Sequence, residues 1–545
     1  MDGTDNRPTT PHSLRLKSPN RAGAVGGFSA FTFPQFLARP CLSGDDFPLC
    51  TARLLEWTED RCALEVFAQL RRFFRCPPRD GCVPAIVKMS AAATPHPHYR
   101  PELDGLRAIA VLAVMVFHLH AAWLPGGFAG VDVFFVLSGF LVTSVILRGR
   151  AKGHFSYAQF YQRRIARIFP AYLTMAVVTL AAAGMTYSSW DFASTASAFS
   201  ASLLSISNYY QLSLGNYFQL SPDSQPLLHC WSLSVEEQFY LIFPLLLALL
   251  FRTPPRARRP LLILILLASF AHSCRLTLSL PVPGFYLLTS RAWEMLAGSL
   301  LAFPGSNPSA FQRPPATTMP GWTAGFPGIL ASLGMGLVLL SFFVLNEHQP
   351  FPGWRALLPV LGTAAIIRGA SGGWLHQLLS VRPMVLIGQM SYSLYLWHWP
   401  VYSIIDHSLP YQNPGVRLVL KIMFTVLGAG ACHLLIEKPA RRFFNLPRHR
   451  LTAFLLLGTA LILFVPLGHR LSARHYLDAS TTKSGILTFP SPGATRTLML
   501  IGDSQGTMYG QLARDLATAH GLNLVILSKA GEDPLAFPSE PQSEL

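Results

Sequence analysis

Charged residues are scarce in this chain. Asp, Glu, Lys and Arg make up 13% of its 545 residues, while 51% are hydrophobic. Soluble domains carry about 25% charged residues, so composition alone argues against an ordinary soluble protein. Acidic residues are the scarcer kind, 27 against 43 basic ones, for a formal net charge of +16. In a soluble chain such an excess would point to nucleic acid. Here the Arg residues gather in short loops between apolar runs, which is the positive-inside pattern, and no nucleic-acid partner is expected. Cysteine is sparse as well, eight in all. Cys41, Cys50, Cys62, Cys76 and Cys82 fall in the first 98 residues at spacings that fit no metal motif. Cys230, Cys274 and Cys432 stand alone as small apolar residues in or near apolar runs. No metal is expected. An apolar signal-peptide core is missing from the start, and no inverted internal repeat of the transporter kind is visible.

Long apolar runs are what the chain has instead. They lie near 104–123, 129–148, 169–187, 233–251, 260–279, 287–303, 326–345, 355–369, 384–405, 416–436 and 451–469, which reads as eleven membrane spans. With the first span starting inside, the cytoplasmic loops carry Arg148, Arg150, Lys152, Arg163, Arg164 and Arg167, then Arg252, Arg256, Arg258 and Arg259, then Arg441, Arg442, Arg448 and Arg450. The opposite loops are nearly free of Lys and Arg. Segment 190–209 is rich in Ser and Ala and only mildly apolar; a full span there would invert every later loop, so it reads as re-entrant or lying at the outer surface. The expected organisation is an extension over 1–98 with Met89 as the expected true start, a membrane domain over 99–445, a linking span over 446–472, and an outer segment over 473–545. The N-terminus is then cytoplasmic and the C-terminus outside. The fold class is an all-α polytopic membrane helix bundle, about ten spans plus one linking span, followed by an incomplete α/β segment.

Two ionisable residues share the first span. Arg107 and His118 are eleven positions apart, which returns to within ~20° on a helix and separates them by ~16 Å along its axis. Charges inside an apolar span are costly, and their presence is a reason to look for function. The plainer reading has Arg107 reaching to the surface and His118 hydrogen-bonded within the bundle. Near the C-terminus, Arg496 to Gly506 reads as a buried strand ending in a tight Gly-Asp-Ser turn, followed by a helix (Tyr509 to His520) and a second strand, Leu522 to Leu527. That opens an α/β unit with Ser504 at a helix N-terminus, where backbone amides can stabilise an oxyanion.

A set of motifs in order carries a family resemblance. Tyr99-Arg-Pro-Glu-Leu-Asp-Gly-Leu-Arg107, the Arg107/His118 pair, Gly126-Gly-Phe-Ala-Gly-Val-Asp132 through Gly139 and Arg163-Arg-Ile-Ala-Arg167 resemble the integral-membrane acyltransferase-3 family. So do Pro226-Leu-Leu-His-Cys-Trp-Ser-Leu-Ser-Val-Glu-Glu-Gln-Phe-Tyr240, Ser290-Arg-Ala-Trp-Glu-Met-Leu-Ala-Gly298 and Ser391-Tyr-Ser-Leu-Tyr-Leu-Trp-His-Trp-Pro400. The tail resembles the SGNH-type hydrolase domain that some members carry outside the membrane. It departs from that pattern at Gln505, where His is usual, and it stops at Leu545 before the later Gly, Asn and Asp-x-x-His blocks. His520 lacks the spacing of a partner base, so the expectation is an incomplete domain in which Ser504 is inactive.

The resemblance implies an O-acyltransferase of the bacterial inner membrane. It would move an acyl group, by default acetyl from acetyl-CoA, to hydroxyls of an extracytoplasmic glycan such as lipopolysaccharide O-antigen, exopolysaccharide or peptidoglycan. No cofactor is held; the acyl-CoA is a substrate. Its phosphates require cations on the inner face, and Arg107, Arg163, Arg164 and Arg167 suit them, since Arg forks bind phosphate bidentately and keep their charge when partly desolvated. Ordinary positive-inside anchoring accounts for the Arg163 triplet equally simply. Transfer to a hydroxyl needs a base, for which His118 is suited, with a carboxylate to orient it from among Asp132, Glu236 and Glu237 at the outer ends of their spans. Solvation at the interface is the alternative for those carboxylates. His229, Trp231 and His398 would line the outer, acceptor-side cavity, or serve as aromatic-belt and bundle residues. Direct transfer at His118 and relay through a protein nucleophile such as Ser504 both fit. A glycan flippase without chemistry, or an inactive truncated product, are the competing classes.

Overall fold

The computed structural model describes residues 99–153, 155–215, 224–303, 321–370, 372–475, 486–502 and 510–528. The expected start at Met89 and the Ser504 turn lie outside those residues. Seven helices form the first half: α1 Pro101–Leu119, α2 Gly130–Ala151, α3 Tyr157–Thr186, α4 Ser189–Leu203, α5 Ser207–Leu214, α6 Cys230–Arg252 and α7 Pro255–Ser279. They are followed by α8 Pro281–Tyr286, α9 Leu288–Ala302, α10 Gly321–Val344, α11 Leu357–Gly369, α12 Gly373–Leu379 and α13 Arg382–Ser408. Last come α14 Pro414–Ala431, a π-helical turn Cys432–Glu437, α15 Lys438–Phe444 and α16 Arg450–His475.

Local chemistry explains the element that matters most. Pro101 sits in the first turn of α1, where its missing N–H is no loss, and Glu102 and Asp104 lie at the positive end of the helix dipole. The helix stops when His120 turns extended, just before Pro125-Gly126-Gly127.

Among the described residues, six helices are long and apolar enough to cross a bilayer: Gly127–Ala151, Tyr157–Thr186, Cys230–Arg252, Pro255–Ser279, Pro414–Phe444 and Pro447–Arg474. A seventh is added if α11 and α12, bent by 104°, are taken as one span. That is fewer than the ten or eleven expected, although each expected segment is helical. The shortfall falls on helices that are short or carry polar groups. Glu102, Asp104 and Arg107 lie in the first two turns of α1; Arg291 and Glu294 lie in the 15-residue α9; Gln389, Ser391, Ser393 and His398 interrupt α13.

The segment expected to be re-entrant is two helices, α4 and α5, joined at Ser205, which has φ 56°. α4 lies against α16, with Ser197 Oγ 2.6 Å from Ser472 Oγ and Ser200 Oγ donating to Val465 O at 3.1 Å. The turn reaches α6, where Ser207 N donates to Ser234 Oγ and Gln238 Nε2 to Ser205 O.

Glycine permits a close contact between α2 and α9. A Cβ on Gly139 would lie 1.8 Å from Met295 O, and one on Gly298 would lie 1.9 Å from Val136 O. α2 and α9 therefore touch backbone to backbone, running in the same direction. Two turns back along both helices, Asp132 meets Arg291. At the C-terminal end, β1 Ile486–Phe489, β2 Thr497–Gly502 and β3 Asn523–Ser528 form a sheet of order β1-β3-β2. β2 and β3 are parallel and joined through α17 Gly510–Ala519, a β-α-β unit; β1, which the sequence did not suggest, pairs antiparallel with β3.

Candidate active site

Three adjoining spaces lie among the helices. The first is a basin lined by Arg148, Lys152, Arg163, Arg164, Arg167 and Arg441, with Gln159 and Asn445 beside them. It forms where the basic last turn of α2, the first turns of α3 and α15 converge. Ser156 starts α3 by accepting from Gln159 N. Gln162 ties α3 to the end of α15, donating to Phe444 O at 2.6 Å and to Leu446 O at 2.9 Å. The Arg164 guanidinium lies 4.2 Å from the centre of the Tyr240 ring and 5.6 Å from that of Phe160. Such stacking holds a cation in place without neutralising it.

Arg164 and Arg167 also line the second space, a central cavity, together with Arg107, Glu236, Glu237 and Tyr240. Arg107 pairs at 3.4 Å with Asp104 in the previous turn of α1. Glu236 accepts hydrogen bonds from Ser138 and Tyr240. Both glutamates thus keep company with the arginines. The expected grouping of Glu236 and Glu237 at the level of His118 is corrected here. α6 begins at Cys230 instead of near 233, which carries the two carboxylates ~9 Å from its start.

Val131 and Tyr395 line both the central cavity and a third, smaller chamber, which holds His118, Asp132, Trp231, Phe285, Arg291 and Phe351. His118 comes from the last turn of α1 and His398 from α13, and their Nδ1 and Nε2 atoms are 3.0 Å apart. His398 Nδ1 lies 2.7 Å from the carbonyl of Tyr395. His229, at the start of α6, packs with its ring centre 5.7 Å from that of His398, and the Trp399 edge meets His118 at 4.5 Å. Tyr395 OH is 2.6 Å from Ser232 Oγ and donates to His229 O at 3.2 Å.

Asp132 lies in the chamber wall, but its carboxylate pairs with Arg291 at 3.0 Å, and Glu294 reaches the same guanidinium nitrogen at 3.2 Å. Of the three carboxylates expected beside His118, Asp132 pairs with Arg291, Glu236 accepts from Ser138 and Tyr240, and Glu237 lines the central cavity; His398 stands at Nδ1 of His118. Arg291 is 1% exposed, donates through Nε to Phe285 O, and is ringed by Trp231, Phe285 and Phe351 at about 5 to 5.5 Å. Sequence reasoning assigned no role to Arg291, Glu294, Tyr240 or Tyr395. The signal was present in two of the motifs, where Arg and Glu stand three apart in an apolar helix and Tyr precedes the Trp-His-Trp run. Arg163 is exposed and lines only the basin, whereas Arg164 and Arg167 bridge basin and cavity. Among the described residues, no group of three His, Cys, Asp or Glu is arranged to hold a metal ion.

Comparison with known proteins identifies the family. A family model described as an acyltransferase domain matches residues 100–465. The chain is 33% identical over 364 residues to a putative peptidoglycan O-acetyltransferase, YrhL, of Bacillus subtilis, covering 64% of this chain and 56% of the relative. It is 32% identical over 358 residues to the peptidoglycan O-acetyltransferase OatA of Listeria monocytogenes, covering 63% and 56%. It is 30% identical over 361 residues to the O-acetyltransferase OatA of Staphylococcus aureus, covering 64% and 58%. The alignments thus span little more than half the length of these relatives. No solved structure matches the chain. Residues 100–465, which contain the basin, the cavity and the His118 chamber, are an acyltransferase domain, and the chain belongs to that family.

Proposed function

We propose that this protein is a membrane O-acetyltransferase that takes an acetyl group from acetyl-CoA on the cytoplasmic side and esterifies a hydroxyl of an extracytoplasmic, cell-wall-type glycan. The observation that carries the reading is the succession of a six-cation basin, a cavity that shares Arg164 and Arg167 with it, and the His118 chamber, which shares Val131 and Tyr395 with that cavity. A flippase has no use for a phosphate-suited basin leading to a buried imidazole. The peptidoglycan O-acetyltransferases among the relatives support the choice of acceptor.

In this reading the membrane domain has about ten spans, with the basin facing the cytoplasm in accord with the basic loops. The CoA phosphates rest on Arg148, Lys152, Arg163, Arg164, Arg167 and Arg441. The thioester extends past Arg107 and Tyr240 towards His118, some ~16 Å further along α1. The acceptor hydroxyl approaches from the other side, past His229 and Trp231. His118 takes the hydroxyl proton as the new C–O bond forms; the C–S bond breaks, and the departing thiolate takes that proton from the imidazolium. Asp132 acts through Arg291, holding the chamber wall, and Glu236 and Glu237 act at the donor side.

The test is transfer by purified protein in nanodiscs, with acetyl-CoA and glycan fragments as substrates and ester formation as the readout. Acetyl-CoA-dependent ester on the glycan is the expected result. Glycan movement across the bilayer of sealed proteoliposomes, without any ester formed, would replace this reading with the flippase.

A further inference from the structure

The geometry around His118 points to more than a base; it points to what prepares the base. The planes of His118 and His398 are 11° apart and their ring centres 5.2 Å apart, with Nδ1 of one 3.0 Å from Nε2 of the other. At that centre spacing and nitrogen distance, the rings lie edge to edge in nearly one plane. That is the geometry of an N–H···N hydrogen bond and not of a face-to-face stack.

The protons in this chain follow from one fixed end. A carbonyl oxygen only accepts, so the 2.7 Å contact to Tyr395 O places the proton of His398 on Nδ1. A neutral His398 then presents its lone pair at Nε2. His118 must fill that acceptor with a proton on Nδ1, which leaves Nε2 as the basic nitrogen of His118.

We propose that His398 is the positioning residue of His118: the Tyr395 carbonyl sets the tautomer of His398, His398 sets that of His118, and His118 acts through Nε2. His398 thereby fills the place that a carboxylate fills in a catalytic triad, but without a charge. The local sequence makes the device possible. Pro400, inside α13, has no N–H to give to Leu396 O, which loosens the helix at the turn where the His398 ring folds back on its own backbone. Both rings are also clamped, His118 by Trp399 at 4.5 Å and His398 by Tyr395, His229 and Tyr402 at 5.3 to 5.7 Å between ring centres. Among the described residues, the charged groups lining the chamber with the pair are Asp132 from α2 and Arg291 from α9, which are bound to each other; titratable rings against the pair include His229, Tyr395 and Tyr402.

This inference rests on the reading of His118 as the base, and its test separates the two. ¹⁵N-histidine-labelled protein in nanodiscs is examined by solid-state NMR, with His118 and His398 assigned from the spectra of H118Q and H398L. Both residues are expected as the Nδ1–H form in the wild type, and His118 should shift towards Nε2–H in H398L. Acetyl transfer is then measured on H398L and H398Q. Loss of a charged tautomer holder costs a catalytic histidine ~10⁴-fold, so a neutral one should cost roughly 100-fold in kcat, with the acetyl-CoA KM unchanged. H398Q keeps an acceptor oxygen and should recover to within roughly tenfold of the wild type.

A wild-type His118 in the Nε2–H form overturns the proposal, and because H118Q alone assigns that signal, the measurement stands even if H398L does not fold. Wild-type kcat in a folded H398L overturns it as well. Full transfer by H118A would instead defeat the base reading while leaving the tautomer result intact.

Discussion

Replacing Arg164 by Gln tests the donor side of the site most sharply. The side chain is held over Tyr240 at 4.2 Å and lines both the basin and the central cavity, so it meets an anion already ordered and partly shielded from water. Hydrogen bonds to charged groups contribute about 1.5–3 kcal/mol, which at ~1.4 kcal/mol per decade is about a 10- to 150-fold weaker hold on the donor. Arg163, one residue earlier, is exposed and lines only the basin. An exposed ionic contact contributes about 0.2–1 kcal/mol, so R163Q should change the same constant by no more than about fivefold. R164K should fall between the two, because Lys keeps the charge but lacks the planar fork and its stacking. The assay is the acetyl-CoA KM in nanodiscs at saturating acceptor, backed by calorimetric binding of CoA. Equal effects of R163Q and R164Q would reduce the whole group to topological anchors, and a loss confined to kcat would take Arg164 out of donor binding.

Three further outcomes follow from the same geometry. H118A should lower kcat by about 10²- to 10⁴-fold, the range of general base catalysis, with normal membrane abundance; retained ester formation in the variant would remove His118 from the mechanism. G139L should destabilise the protein by about 3 kcal/mol or more, because its Cβ would lie 1.8 Å from Met295 O and α2 would have to part from α9; an unchanged melting curve in detergent would contradict that contact. R291M should cost about 3–5 kcal/mol by leaving Asp132 and Glu294 buried without their cation, and adding D132N and E294Q should restore much of it, as followed by thermal unfolding. No recovery in the triple variant would mean that Arg291 is held chiefly by its aromatic cage.

Composition and loop charge were enough to make this a helical membrane protein, because the bilayer imposes a length and an apolarity that any spanning helix must show. The helical stripe joining Arg107 to His118, the basic run Arg163–Arg167 and the chain of family motifs were legible for a similar reason: each is local, lying within one helix or one loop. Depth was less secure. Starting α6 three residues late was enough to set Glu236 and Glu237 beside His118 in expectation, when they line the arginine cavity. Partnership was not legible at all. Asp132 finds Arg291 159 residues away, and His118 finds His398 280 residues away. Which carboxylate serves which cation depends on which helices touch. That was decided by close backbone contacts such as Gly139 on Met295 and Gly298 on Val136, which no periodicity within a single segment records. The sequence supplied the reactive groups and the side of the membrane each favours. Only the packing brought His398 to Nδ1 of His118, while Asp132 is held by Arg291 and Glu236 by Ser138 and Tyr240.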